Sequence, residues 1–108
     1  MIAIAKNIRI SPRKVNMVAA MVQGHNAETA SILLGRMPKK AARLIKKVVD
    51  SAIANAKNND AQETSTLVIS RVMGLKAPTL KRFRPISRGR AAPQLRRSSH
   101  IRVELTQA

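Results

Sequence analysis

Cysteine is absent from the 108-residue chain, and aromatic residues are almost absent, since Phe83 is the single one. Without cysteine there can be no disulfide framework, no thiol nucleophile and no zinc site built on thiolates. Without aromatic platforms, the base-stacking sheets and barrels that bind single-stranded nucleic acids are disfavoured. These two absences exclude zinc ribbons and knuckles and fit a protein of a reducing compartment.

Acidic residues are also scarce: five Asp and Glu accompany 21 Lys and Arg, which gives a net charge of +16 at pH 7. So few carboxylates leave little for acid–base catalysis. The one string that suggests a nucleophile, Ser98-Ser99-His100, has only Glu104 as a carboxylate nearby in sequence, and His25 lies too far from His100 to suggest a metal site. We therefore expect no enzyme, no cofactor and no metal site.

Long apolar stretches are missing too, because none approaches the roughly 20 residues that cross a membrane. Residues 1–13 lack the layout of a signal peptide, so a soluble intracellular protein without a membrane partner is expected. Leu, Ile, Val and Phe still make up about a quarter of the chain, enough for one small core. A chain this basic needs a polyanionic partner, and nucleic acid is the simplest one because bound Lys and Arg release counterions from phosphates.

Three segments have the apolar spacing of amphipathic helices. The first begins at Pro12 behind the N-cap Ser11 and ends at Gln23, and the second begins at Asn26 and ends near 35–37. The third begins at Pro38 and ends at 58–60. The predicted inward residues are Val15, Val18, Ala19 and Val22, then Ala30, Leu33 and Leu34, then Ala41, Ile45, Val48, Val49, Ala52, Ile53 and Ala56.

Three other segments alternate with the period of two that is typical of strands. In the first, Ile2, Ile4, Ile8 and Ile10 share one parity. From Thr66 onwards, Leu67, Ile69, Met73 and Leu75 are predicted on one face and Val68, Ser70 and Val72 on the other. The third has Ile101, Val103 and Leu105 on one face.

Residues 76–97 differ in composition from the rest, with eight Lys or Arg, three Pro and no acid. Between two strands that can pair, this segment predicts a long β-hairpin arm with its turn around 85–92. Its thirteen-residue leg, 76–88, would extend about 40 Å. A two-stranded ribbon that repels itself should be mobile until nucleic acid surrounds it. The single domain 1–108 therefore divides into a globular part, 1–75 and 98–108, and an arm, 76–97.

Two pairs of cations stand where helix propensity gives no reason for them. Arg13 and Lys14 lie in the first turn of the first helix, and Lys39 and Lys40 in the first turn of the third. The helix dipole disfavours cations at that end. Together with free N–H groups they predict phosphate sites.

Several strings resemble the bacterial-type large-subunit ribosomal protein family twenty-two, in order and with the family's spacing over nearly the full chain. These strings are Ser11-Pro12-Arg13-Lys14-Val15, Lys39-Lys40-Ala41-Ala42, Ser51-Ala52-Ile53-Ala54-Asn55-Ala56, Lys81-Arg82-Phe83-Arg84-Pro85, Gly89-Arg90-Ala91 and Arg97-Ser98-Ser99-His100-Ile101. The resemblance implies an α+β fold of three helices packed on a three-stranded antiparallel sheet, with a long protruding basic β-hairpin.

The resemblance further implies a structural constituent of the ribosome that binds 23S-type large-subunit ribosomal RNA and assists subunit assembly. Its hairpin would line the nascent-peptide exit tunnel, close to the macrolide site, and the protein would contact neighbouring ribosomal proteins and the nascent peptide. The compartment would be the cytoplasm, in the large ribosomal subunit, or an organellar ribosome.

The expected residues follow from the cations and from the resemblance together. The RNA-binding set is Arg9, Arg13, Lys14, Lys39, Lys40, Arg43, Lys47, Lys76, Lys81, Arg82, Arg84, Arg88, Arg90, Arg96 and Arg97. The expected tunnel-lining tip is Pro85, Ile86, Ser87, Arg88, Gly89, Arg90 and Ala91.

Two other classes remain open at the level of sequence. A nucleoid-type architectural DNA-binding protein also uses basic β-arms with an apolar wedge, a part that Pro85 or Ile86 could play. Such proteins are dimers, and the pattern leaves no sizeable apolar face for a dimer seam, so no homo-oligomer is expected. A basic membrane-surface protein would use the third helix, whose basic face opposes an apolar stripe.

Overall fold

The computed structural model describes residues 2–59 and 63–107. Three α-helices and five β-strands make an α+β fold, so the predicted fold class and the three-stranded sheet are confirmed. The elements are β1 (Ile2–Ile8), α1 (Pro12–Val22), α2 (Ala27–Arg36), α3 (Lys40–Asn58), β2 (Leu67–Lys76), β3 (Leu80–Pro85), β4 (Ala91–Arg96) and β5 (Ser99–Gln107), with single 3-10 turns at Thr64–Thr66 and Ser87–Gly89. The part of the predicted third helix end that falls on Asp60 lies outside the described residues.

The main sheet has the order β1-β5-β2, with β5 antiparallel to both neighbours. The three helices cover one face of this sheet, and the core lies between the two layers. The predicted inward residues of α1 and of β5 are all buried, as are those of α3 except for the partly buried Ile53. In α2, by contrast, Leu33 is 36% exposed, so its predicted inward position is wrong. The buried residues of this helix are Ala27, Ala30 and Leu34.

Side chains cap the starts of α1 and α2, at α1 through the predicted N-cap Ser11. Ser11 Oγ accepts from the Lys14 N–H at 3.5 Å, and Asn26 Oδ1 accepts from the Glu28 N–H at 3.0 Å. Such side chains satisfy N–H groups that have no partner within the helix. The start of α3 differs, because Lys39 is its N-cap residue and makes no side-chain capping bond. Lys39 therefore lies just before the first turn of α3 and not within it, as was predicted.

In β1 the face that meets the helices carries the alanines and not Ile2 and Ile4. Ile2 and Ile4 are 45% and 52% exposed, whereas Ala3 is buried. Periodicity identifies two faces but does not say which one meets the helices, and here small alanines face α3 and allow it to pack closely. The ladder shifts register between Ala5 and Ile8 around Asn7, whose φ is +56°. Beyond this irregularity Ile10 reaches the core.

A bulge also divides β2. Ile69 pairs with Leu105 and Arg71 pairs with Glu104, so Ser70 is the extra residue. A bulge exchanges the two faces of a strand, and Val72 is therefore buried beyond it. The prediction that Met73 and Leu75 share a face with Leu67 and Ile69 is wrong for this reason, because Leu75 is exposed on the outer face.

The free edge of β2 is covered by polar groups at both ends of α1. Asn16 Oδ1 accepts from the Gly74 N–H at 2.9 Å, and Asn16 Nδ2 donates to the Gly74 carbonyl at 3.3 Å. Gln23 Nε2 donates to the Val72 carbonyl at 3.2 Å, and the Gly24 N–H donates to the Ile69 carbonyl at 2.8 Å. An exposed strand edge would otherwise offer unpaired backbone groups to other chains. Helix α1 thus both packs on the sheet and closes its edge.

Replacing Asn16 by alanine is expected to lower the free energy of unfolding by about 1 kcal/mol. Two hydrogen bonds worth roughly 0.5–1.5 kcal/mol each are lost, and the better helix propensity of alanine returns part of that. Thermal unfolding followed by circular dichroism measures the change. The neighbouring exposed Met17→Ala should shift the midpoint much less, and equal shifts for the two variants would contradict the role of Asn16 as a clamp.

Strands β3 and β4 form a separate two-stranded antiparallel sheet with six residue pairs, from Leu80↔Arg96 to Pro85↔Ala91. Six residues extend about 20 Å. Residues 77–79 separate β3 from β2, so the continuous thirteen-residue leg predicted from 76 to 88 is not formed. Ile86–Arg90 make the turn, with the Ile86 N–H donating to the Arg90 carbonyl at 2.7 Å and with positive φ at Arg88 and Gly89.

Candidate nucleic-acid interface

A cleft lies where the β1–α1 corner meets the start of α3, and it is called here the helix cleft. Its volume is about 440 Å³. Its lining residues are Arg9, Ile10, Lys14, Met17, Val18, Lys39, Lys40 and Ala41. The first turn of α1 supplies Lys14, the start of α3 supplies Lys39 and Lys40, and the connection from β1 supplies Arg9. Lys14, one of the two cations predicted at the start of the first helix, therefore lines the same cleft as Lys39 and Lys40, the pair predicted at the start of the third.

A second cleft, called here the root cleft, lies where the β3–β4 pair joins the main sheet. Its volume is about 600 Å³. Its lining residues are Ser11, Pro12, Arg13, Lys76, Thr79, Lys81, Leu95, Arg97 and Ser98. The ladders explain the meeting of distant residues: Lys76 pairs with Ser99 at the end of the main sheet, and Lys81 pairs with Leu95 across β3 and β4. Four cations from four places in the sequence thus line one cavity.

The two clefts adjoin at the first turn of α1. The consecutive residues Arg13 and Lys14 line different clefts. Arg9 Nη1, from the helix cleft, donates to the Arg97 carbonyl of the root cleft at 3.1 Å. Beneath this contact the buried Ser99 hydroxyl donates to the Ile10 carbonyl. The segment that returns from β4 is therefore fastened to the β1–α1 corner, which fixes the positions of both clefts.

The electrostatic field of this region is of one sign. The four acids in the described part of the chain lie elsewhere: Glu28 in α2, Asp50 in α3, Glu63 before β2 and Glu104 in β5. Asp50 pairs with Lys46 at 2.9 Å, and Glu104 pairs with Arg102 at 3.0 Å. A concave surface lined by charges of one sign concentrates ions of the other sign. Both clefts are therefore suited to phosphate.

The remaining predicted RNA-binding residues fall into two groups. Five lie on or beside the β3–β4 pair, and all are exposed: Arg82, Arg84, Arg88, Arg90 and Arg96. On α3, Arg43 is exposed, whereas Lys47 lines a smaller cavity of about 140 Å³ beside β1. Lys47 is thus separated from the two clefts.

The structure also explains why one cation of the basic α3 face differs from its neighbours. Lys46 is paired with Asp50, whose other oxygen accepts from the Ser31 hydroxyl at 2.6 Å. This small network links α3 to α2, so Lys46 is partly neutralised and faces the neighbouring helix.

Sequence reasoning missed the apolar contribution to the clefts, above all Met17 and Leu95. No spacing signal indicates it, because their neighbours in the clefts come from distant segments.

Two features of residues 2–59 and 63–107 bear on other chemistries. No three His, Asp or Glu side chains come together there in a way that could hold a metal ion. Within the same residues, no helix has the length and apolarity needed to cross a membrane.

Comparison with known protein families decides between the open classes. The sequence model of the family described as Ribosomal protein L22p/L17e matches residues 3–106 of the 108. The chain belongs to this family. Members of the L22p/L17e family are structural, non-enzymatic constituents of the large ribosomal subunit in the cytoplasm, where they bind large-subunit ribosomal RNA and neighbouring ribosomal proteins. The basic clefts are accordingly assigned to a ribosomal protein, and the architectural DNA-binding and membrane-surface classes are set aside.

Proposed function

We propose that the helix cleft, the root cleft and the β3–β4 pair form one continuous surface against large-subunit ribosomal RNA. In this proposal the pair extends from the globular part as an arm, and its turn, 85–91, lines the nascent-peptide exit tunnel. There it meets the nascent peptide and lies near the macrolide site. By joining RNA segments at the clefts and along the arm, a single copy of the protein assists assembly of the subunit.

The observation that carries the proposal is the exposure of a basic segment without a core. Every residue from Leu80 to Ala91 is exposed. Between Lys81 and Arg97 there are seven Lys or Arg and no acid. Like charges on a two-stranded ribbon repel one another, and such a ribbon is marginal in water. A surrounding polyanion removes both difficulties, and RNA packed on each side of the ribbon provides it.

The shape of the chain supports an arm that reaches away from the globular part. The principal extents of the chain are 62, 25 and 16 Å. The core cluster lies within residues 3–72 and 101–105, with no member on β3 or β4. We therefore assign folding stability to 1–75 and 98–108, and the tunnel contacts to 76–97.

The turn has properties that suit a crowded passage. Arg88 and Gly89 both have positive φ, +65° and +71°. The chain therefore reverses its direction within the five residues that separate Pro85 from its strand partner Ala91. Exposed Ile86 and Phe83 add apolar surface beside the cations. A passage that carries a peptide between RNA walls offers partners to both kinds of side chain.

The proposal is tested with a shortened arm in which residues 83–93 are replaced by Asn-Gly. Because Arg82 pairs with Gln94, a two-residue type I′ turn can close the ribbon there. We expect the midpoint of thermal unfolding to move by no more than about 3 °C, since the core is untouched. We expect the variant to enter the large subunit and to remain after a high-salt wash, but to lose every contact with the nascent peptide.

The tunnel contact is measured with a photo-crosslinker at position 88 in the full-length chain, with position 57 at the end of α3 as the control. Crosslinks to the nascent peptide are expected from position 88 alone. Nascent-peptide crosslinks from both positions, or unfolding of the shortened variant, would overturn the assignment of the arm. Release of the full-length chain from the subunit by the wash would overturn the clefts as its RNA-binding surface.

A further inference from the structure

The helix cleft combines an apolar floor with a cationic rim. Ile10, Val18 and Ala41 form the floor and are only 7%, 1% and 4% exposed, whereas Met17, which also lines the cleft, is 60% exposed. The volume of about 440 Å³ lies within the range of small-molecule sites, about 300–1,000 Å³. Because the floor belongs to the folded core, the cavity exists before any ligand enters it.

The rim has four cations that differ in how they are held. Arg9 donates to the Arg97 carbonyl at 3.1 Å, and Lys40 Nζ donates to the Arg9 carbonyl at 3.0 Å. These two contacts brace the wall of the cleft. The ammonium groups of Lys14, from α1, and Lys39, from the start of α3, make no hydrogen bond or ion pair with any described residue. Two cations are therefore free to meet an anion at the mouth of an apolar cavity.

We infer that the helix cleft receives one unstacked nucleotide of the large-subunit RNA, with its base over Ile10 and Met17 and its phosphate between Lys14 and Lys39. This inference rests on the proposed contact of the cleft with RNA and names what enters it. A bare phosphate would leave the apolar floor in contact with water. An apolar peptide side chain would leave the cations without a partner. A nucleotide covers the apolar floor with its base and pairs its phosphate with the cations of the rim.

Because the chain has almost no aromatic residues, a site that binds a base must use other side chains. Proteins read RNA chiefly through bases splayed out of the stack, which commonly rest on aromatic side chains. This chain has only Phe83 for that purpose. Methionine is a suitable substitute, because its flexible thioether adapts to an aromatic ring and attracts it. Phosphate contacts position a protein without reading sequence, so a bound base would fix the register of the globular part on its RNA.

The first measurement is nuclear magnetic resonance of the full chain with labelled Ile and Met methyl groups. The probes are adenosine 5′-monophosphate, ribose 5-phosphate and inorganic phosphate, each up to 20 mM. We expect ring-current shifts at the methyl groups of Ile10 and Met17 with the nucleotide alone. Met21, 57% exposed on the same helix but outside the cleft, should not move. The double substitution Lys14→Gln, Lys39→Gln should weaken nucleotide binding about tenfold.

The second measurement is binding of the full chain to large-subunit RNA. Met17→Ser is expected to weaken it about fivefold at both low and high salt, because no charge changes, while the matched Met21→Ser leaves it unaltered. Equal shifts with all three probes, or equal affinities of the two serine variants, would overturn the nucleotide inference. If the chain binds the RNA but shows no methyl shift with the nucleotide, this inference fails and the proposed function stands. Failure of the intact chain to bind the RNA would overturn both the nucleotide inference and the proposed function.

Discussion

Replacing Gly74 by alanine is expected to lower the free energy of unfolding by about 3 kcal/mol, near the upper end of what overpacking a core costs. A Cβ atom at this position would lie 2.8 Å from both Cβ and Cγ1 of Val15, and 3.2 Å from Oδ1 of Asn16. Val15 is fully buried and its branched side chain is stiff. The clash therefore pushes α1 off the sheet and strains the clamp that closes the edge of β2.

The thermal midpoint of the Gly74→Ala variant should fall by about 15 °C, given that 1 kcal/mol corresponds to roughly 4–8 °C in a domain of this size. Gly35→Ala is the matched control. There the added Cβ would lie 3.3 Å from Cε of Lys46, the end of a flexible side chain, and alanine is favoured within a helix by about 0.5–1 kcal/mol. Similar midpoints for the two variants would show that α1 does not depend on close approach at Gly74.

Neutralising two cations of the root cleft, Arg13→Gln with Arg97→Gln, is expected to reduce affinity for large-subunit RNA by about 40-fold at 0.1 M salt. Each lost phosphate contact removes about 0.7–0.9 from the slope of log K against log salt, so two contacts lower it by about 1.6. The difference should shrink as salt approaches 1 M. Filter binding over a salt series measures both the affinity and the slope.

The matched control for this variant removes two cations outside both clefts, Lys57→Gln with Arg71→Gln. Both variants carry the same net charge, so a general loss of electrostatic attraction affects them equally. We expect the control to keep nearly the full slope, because Lys57 and Arg71 line neither cleft. Equal losses in the two variants would mean that RNA responds to total charge and that the root cleft has no special part.

The helices were predictable because their signals are local. Ser11 and Asn26 cap their helices through hydrogen bonds to nearby residues, and helical spacing identified the inward residues of α1. Leu33 shows the limit of the method: it lies next to Leu34 on the helix surface, and only the position of α3 decides which of the two is covered.

The strands were predictable as elements but not as faces. In β1 the larger residues, Ile2 and Ile4, point away from the helices, because α3 packs closely on the alanines between them. In β2 one extra residue, Ser70, reverses the alternation for the rest of the strand. Bulges depend on pairing with a distant strand, and residues 67–73 around Ser70 contain no glycine or proline to indicate one.

The cations of the candidate site were predictable by type, and their grouping was not. Lys14 and Lys39 were assigned to two helix ends, and they meet only because the β1–α1 corner brings those ends together. Lys76 and Arg97 meet because β2 and β5 pair up to the root of the arm. Grouping of this kind depends on the topology of the fold. The spacing of residues along the sequence does not show which distant residues lie close together.

The central place of β5 has a consequence for the order in which the chain acquires its structure. β1 and β2 do not pair with each other, and each is joined to the sheet through β5, as Ile2↔Glu104 and Leu67↔Gln107 show. Contacts between residues so far apart in sequence form late and slowly. Translation therefore finishes the whole basic arm before the strand that closes the sheet emerges. A newly made chain therefore carries its most repulsive segment before its main sheet is closed, so RNA that neutralises the arm at this stage should hasten folding of the globular part.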